Sequence, residues 1–195
     1  MLFDLQQALH QQQFYSLYGR FLQQDVLFDT GPLFLYLIGS FDIKEGTHLL
    51  DLFHYNLDDY QLLLKIIHLF KKDHTHFVIT PHIFHEVIKH IQTDIEAIYS
   101  DKPALHQRME QLKLFLKSPL QQMQEMPTGK NKMITHPLFL STWEIGDISL
   151  DIVSSLSKNG GILLTDDKKF TKTYESRDDF LLIPFQNIKH NAYLF

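Results

Sequence analysis

Cysteine is absent from the 195-residue chain, which excludes disulfides, thiol nucleophiles and thiolate-ligated zinc and fits a reducing compartment. The N-terminus, Met-Leu-Phe-Asp-Leu-Gln-Gln, lacks the basic flank and long apolar run of a secretory signal, so a cytoplasmic location is expected. Long hydrophobic runs are missing as well. The most apolar stretch, residues 33–38, is bracketed by Pro32 and Gly39 and is far shorter than the roughly 20 residues a membrane helix requires. No membrane partner is therefore expected. Positive charge is not in excess: with a formal net charge of −5, binding to nucleic acid would need a local basic patch. No internal repeat is visible.

What is present is a globular composition. Hydrophobic residues make up 44% of the chain and charged residues 21%, with sixteen Phe and eight Tyr, which excludes disorder and predicts an aromatic-rich core. The length suits one domain able to bury a core without a staple.

Along the chain, Leu2, Leu5, Leu9, Leu17, Phe21 and Leu22 recur at helical spacing among seven glutamines, which predicts an amphipathic helix over residues 1–24 ahead of the main domain at 25–195. Val26-Leu27-Phe28 reads as a buried strand, and Asp29-Thr30-Gly31-Pro32 as a tight turn into a helix. A helix is expected over 57–72, then a strand over 76–80. Thr80-Pro81 has the form of a cap followed by proline in the first helical turn. The helix that follows carries Ile83, Val87, Ile91 and Ile95 on one stripe and His82, Glu86 and His90 on a polar face. Helical patterning continues over 101–126, and Pro127-Thr128-Gly129-Lys130-Asn131-Lys132 reads as a basic loop. Gly146-Asp147 opens another helix, stopped by Asn159-Gly160-Gly161. Ile162-Leu163-Leu164-Thr165 is a third strand, Asp166-Asp167-Lys168-Lys169 begins a short helix, and Phe180-Leu181-Leu182-Ile183 is a fourth strand. Strands alternating with helices predict an α/β fold with a parallel sheet of four to five strands, whose sites gather at the carboxyl ends of the strands.

Four acids fall at that edge. Asp29 and the Asp166-Asp167 pair each follow a strand, while Glu86 and Asp147 lie at or near helix beginnings that face the same way. Singly, Asp29, Asp147 and Asp166 can each be read as a helix N-cap, and Glu86 as an ordinary exposed helical residue. Together they would repel one another unless a cation neutralises them. Oxygen ligands with open coordination positions suit Mg²⁺ or Mn²⁺, and such ions promote phosphodiester hydrolysis.

In order and pattern these segments resemble the PIN-domain nucleases, which include many ribonuclease toxins of toxin–antitoxin pairs. Val26-Leu27-Phe28-Asp29-Thr30-Gly31-Pro32 is similar to the family's first strand and leading aspartate. Phe77-Val78-Ile79-Thr80-Pro81-His82-Ile83-Phe84-His85-Glu86-Val87 resembles its strand, turn and glutamate-bearing helix. Gly146-Asp147-Ile148-Ser149-Leu150 looks like the segment of the third acid, and Leu163-Leu164-Thr165-Asp166-Asp167-Lys168-Lys169-Phe170 like the closing strand with its Thr-x-Asp. The likeness covers roughly residues 25–185, each motif weak alone and the ordered set more specific. It implies a PIN-like sheet flanked by helices and endonucleolytic cutting of RNA by metal-activated water. Asp29, Glu86, Asp147 and Asp167 would ligate Mg²⁺ or Mn²⁺, with Thr30 and Thr165 as supporting hydroxyls. Asp166 stands as the alternative to Asp167, and Asp151, one turn after Asp147, as a secondary candidate. The N-terminal helix and the helical stretch and basic loop over 92–142 are longer than a minimal member needs.

Other readings attach to the remaining features. Twelve histidines invite zinc, and His82, His85 and His90 share one helix, but His-Glu-x-x-His does not occur. Lys130, Lys132, Lys168, Lys169 and Lys172 are candidate phosphate contacts or simply solvated surface. The glutamine-rich helix can pack on the domain, or meet a second subunit in a homodimer or an inhibitory antitoxin protein. The alternatives to a ribonuclease are a non-catalytic module keeping the fold as a scaffold and a DNA nuclease of the same mechanism.

Overall fold

Four short apolar segments and the polar dipeptide Gln124-Glu125 pair edge to edge, and among the described residues the helices between them carry apolar residues that return every three or four positions. The computed structural model describes residues 24–71, 77–99, 103–125, 156, 161–174, 176 and 180–186. In chain order the elements are β1 (Val26–Phe28), α1 (Thr30–Glu45), α2 (Leu57–Lys71), β2 (Phe77–Ile79), α3 (Pro81–Tyr99), α4 (Pro103–Gln121), β3 (Gln124–Glu125), β4 (Ile162–Thr165), α5 (Lys168–Tyr174) and β5 (Leu181–Pro184). The predicted helix at 1–24, apart from Gln24, and the basic loop after Met126 lie outside the described residues, as does the helix predicted to open at Gly146-Asp147, apart from buried Leu156.

The strands form one sheet in the order β3-β2-β1-β4-β5, and every pairing is parallel, with Val26 opposite both Phe77 and Ile162. The expected α/β class with a parallel sheet is therefore what the chain adopts. Strands β1, β4 and β5 are buried throughout, as parallel strands covered on both faces must be, and this explains their unbroken apolar runs. From β1 the chain moves outward to β2 and β3, then returns to the other flank of β1 as β4. A crevice opens at such a reversal, outside the carboxyl ends of the two strands.

Helix α1 is apolar nearly all round because it is buried nearly all round, with Leu33, Leu35, Leu37 and Ile38 fully enclosed. It packs on α2, α3 and α4. Gly39 belongs to this packing, since the Tyr60 ring of α2 occupies the space a β-carbon would need. The helix ends at Gly46, whose φ of 64° is left-handed, a conformation glycine adopts without penalty. Buried Asp42 then accepts hydrogen bonds from the amides of Leu49 (3.0 Å) and Leu50 (2.8 Å) and from the Thr47 hydroxyl. These bonds fix a single 3-10 turn at Leu50–Leu52. Asn56 and Asp59 exchange side-chain-to-backbone hydrogen bonds of 2.9 and 3.0 Å at the start of α2, a reciprocal capping box. The loop bearing Phe53, His54 and Tyr55 is thus anchored at both ends.

The helix predicted over 101–126 is shorter. It ends at Gln121, with Pro119, which has no amide hydrogen to donate, inside its last turn, and the chain leaves it through bonds from Gln122 to Pro119 and Met123 to Leu120 (both 3.2 Å). Gln124 and Glu125 then pair with Val78 and Ile79 as an edge strand that the apolar pattern did not announce. With Leu112 and Leu116 buried in the core, residues 103–125 are packed into the body of the fold.

Candidate active site

Asp29 immediately follows β1, and Thr165, Asp166 and Asp167 end and follow β4, so the crevice between these neighbouring parallel strands gathers them. The Asp29 amide completes the β ladder by donating to Leu164 O (2.9 Å), and its own carbonyl accepts from Leu33 N (3.0 Å) as α1 begins. Asp29 is the N-cap of α1. Its Oδ1 accepts from the Thr30 amide at 2.8 Å, and its Oδ2 accepts from the buried Thr165 hydroxyl. That hydroxyl also accepts from the Asp167 amide at 3.1 Å. The Thr30 hydroxyl in turn donates to Glu86 Oε2. Each threonine therefore tethers one acid, and Thr30 links the leading aspartate to the glutamate of α3.

Glu86 stands in the second turn of α3. Thr80 caps that helix, its hydroxyl accepting from Ile83 N at 3.2 Å, and Pro81 is the first helical residue, as the Thr-Pro pair predicts. Ile83, Val87 and Ile91 are buried while Glu86 is half-buried beside them. On the same face His90 lies 3.9 Å from Glu86 and 3.4 Å from Asp94. His82 and His85 are exposed on this helix.

After β4 the two adjacent aspartates do different things. Asp167 is exposed and caps α5, its Oδ1 accepting from Lys169 N (2.7 Å) and Phe170 N (3.0 Å). Asp166 is half-buried, accepts from the Tyr55 hydroxyl, and lies over Gly31, where a β-carbon would collide with its carboxylate. Gly31 thus leaves room for this carboxylate, beyond the turn its sequence suggests. Lys168 and Lys169 are exposed beside this pair. Asp147, Asp151, Lys130 and Lys132 lie outside the described residues.

The electrostatics follow from crowding. Burial pushes the Asp29 carboxyl up to about 6, with hydrogen bonds from Thr165 and Thr30 opposing the rise and the charges of Asp166 and Asp167 adding to it. Burial likewise raises Asp166, the Tyr55 hydroxyl opposing and Asp167 adding. Tyr55 is itself raised, by burial first and by the Asp166 charge next. Among the described residues, no three His, Asp or Glu side chains stand close enough together to hold a metal ion ready-made. The donor chemistry nonetheless fits a hard cation: all-oxygen ligands, net negative charge, and an acid whose ionisation is penalised until something positive binds.

Residues that sequence patterning missed are Tyr55, His54 and Phe53, which belong to a loop with no apolar period, and Asp94, which lies two turns beyond Glu86 on α3. A hint for Tyr55 was Asp166 itself, since a buried carboxylate needs a donor from somewhere in the chain. Beside the acids lies a cleft of about 510 Å³ whose wall includes Thr30, Phe34, Phe53, Tyr55 and Asp166. No helix among the described residues is long and apolar enough to cross a membrane. Compared with known proteins, the chain matches no family model, no curated protein and no solved structure.

Proposed function

We propose that the chain is a metal-dependent endoribonuclease of PIN-like architecture, hydrolysing phosphodiester bonds at the acidic crevice between β1 and β4. The observation that carries this reading is Asp29, an acid held at a sheet reversal with its pKa raised to about 6 while Asp166 and Asp167 add further negative charge. Acids that serve only as helix caps gain nothing from such mutual repulsion, whereas perturbed acids in a cleft are a common sign of a working site.

On this reading Asp29, Glu86 and one or both of Asp166 and Asp167 hold Mg²⁺ or Mn²⁺, with Asp147 as the further acid contributed by the sequence. A bound divalent ion supplies charge neutralisation at a phosphoryl oxygen and lowers the pKa of water. The chain's own residues do the rest. Thr30 and Thr165 orient Glu86 and Asp29 through their hydroxyls, and Lys168 and Lys169 offer ammonium groups to the RNA backbone at the mouth of the site. In the metal-free site burial favours the protonated Asp29 carboxyl, so protons compete with the metal for this ligand as pH falls.

The test is cleavage of single-stranded RNA by purified protein with Mn²⁺ or Mg²⁺. Wild type cleaves, EDTA abolishes cleavage, and Asp29→Asn and Glu86→Gln each reduce the rate at least about a hundredfold, as expected for loss of a ligand in a charge-stabilising site. Equal cleavage by wild type and Asp29→Asn would sink the proposal. Absence of cleavage together with no thermal shift on adding Mn²⁺ would leave a scaffold in its place, and preference for DNA would assign the other substrate.

A further inference from the structure

The cleft beside the acids runs between the first turns of α1, the loop after the 3-10 turn, α3, and the residues that follow β4 and β5. Its volume of about 510 Å³ falls within the range of roughly 300–1,000 Å³ that accommodates small ligands. The aromatic side of the wall is braced. Phe34 meets Phe53 edge-on, with ring centroids 4.6 Å apart and planes at 72°, and the Tyr55 ring is held through its hydroxyl on Asp166. Phe53 and Tyr55 are only partly buried, so ring surface remains on the cleft. Around it stand Gln186, Asp94 and His90, which offer hydrogen-bond donors and acceptors, and Lys168, which offers a positive charge. Thr30 and Asp166 belong both to this cleft and to the acid group.

Half-exposed rings flanked by polar groups are what an unpaired nucleobase stacks on, while a cation beside them takes the adjoining phosphate. A duplex cannot use such a wall, because its bases are already stacked and paired. We propose that this cleft is a base-binding subsite that takes one unpaired nucleobase of single-stranded RNA next to the scissile phosphate, stacked on Phe53. The RNA class and the scissile phosphate rest on the nuclease reading. The subsite makes the enzyme selective for unpaired RNA and gives it a base preference at one position.

The experiment measures binding by fluorescence anisotropy in EDTA, using a labelled short single-stranded RNA and a series in which each nucleotide in turn is made abasic. With wild type, one position in the series loses about tenfold or more in affinity, the scale of one lost base stack, and the matching duplex binds weakly. Phe53→Ala lowers affinity for the intact RNA by a similar factor and flattens the abasic profile, whereas Phe53→Tyr keeps both. Because Phe53 packs on Phe34, thermal melts accompany each variant. His54→Ala, at an exposed neighbour in the same wall, gives a second reading that leaves the core intact and weakens the same position. A flat abasic profile in wild type, identical binding by Phe53→Ala and Phe53→Tyr, or no RNA binding at all overturns the subsite. Cleavage of the same RNA in Mn²⁺ is scored separately. Cleavage unaffected by Phe53→Ala removes the subsite and keeps the nuclease, while base-dependent binding without cleavage does the reverse.

Discussion

Replacing Asp29 with Asn should stabilise the protein in the absence of metal, by an amount that grows from about pH 4.5 and is full above about pH 6. The Asp29 carboxyl rises from an ordinary 3.8 to about 6, and at 1.36 kcal/mol per pH unit this difference is worth about 3 kcal/mol. The folded state therefore binds more protons than the unfolded state between about pH 4 and pH 6. Stability falls as pH rises through that window and is level above it. Asn carries no charge to desolvate, so the variant escapes this loss. It still accepts from the Thr30 amide, but it weakens the bond from the Thr165 hydroxyl, at a cost of about 1 kcal/mol. The expected net gain is about 1–2 kcal/mol at pH 8, or roughly 2–8 °C in Tm for a chain of this size. At about pH 4.5, where the wild-type carboxyl is largely protonated, the gain disappears. Urea denaturation of both proteins in EDTA across this range measures the difference. Saturating Mn²⁺ should reverse the order at pH 8, since ligand at a hundred times its Kd stabilises the wild type by about 2.7 kcal/mol. A difference between the proteins that does not change with pH would refute the electrostatic reasoning.

Three further outcomes follow from the packing. Gly31→Ala, which in an ordinary helix would stabilise by about 0.5–1 kcal/mol, should instead destabilise by about 1–3 kcal/mol because its methyl meets the Asp166 carboxylate; chemical denaturation reads this, and adding Asp166→Ala should restore the loss. Thr165→Val keeps the volume but removes the hydroxyl that lowers Asp29, so Asp29 should titrate above 6 in a carboxyl-carbon NMR titration, with stability reduced by about 1–3 kcal/mol. Gly39→Ala should cost about 1–3 kcal/mol by pressing on the Tyr60 ring, and Tyr60→Leu in the same background should recover part of it; a neutral Gly39→Ala would show that α1 and α2 can move apart freely.

The strands at 26–28 and 162–165, the Thr80-Pro81 helix start and the parallel α/β class were legible from residue order, because buried parallel strands demand unbroken apolar runs and caps demand particular side chains. Such signals are local, and each is complete within about ten residues. The placement of Asp29 and Thr165 at one edge also followed, since parallel strands end on the same side. Other features were decided by contacts across the sequence. That Asp166 turns inward to Tyr55 while Asp167 caps α5 depends on a hydroxyl 111 residues away. That a carboxylate lies against Gly31 depends on the same Asp166, and that Gln124 and Glu125 extend the sheet depends on a free edge of β2. A linear pattern records which residues must be buried, but the partner that buries, tethers or repels each one exists only once distant segments meet.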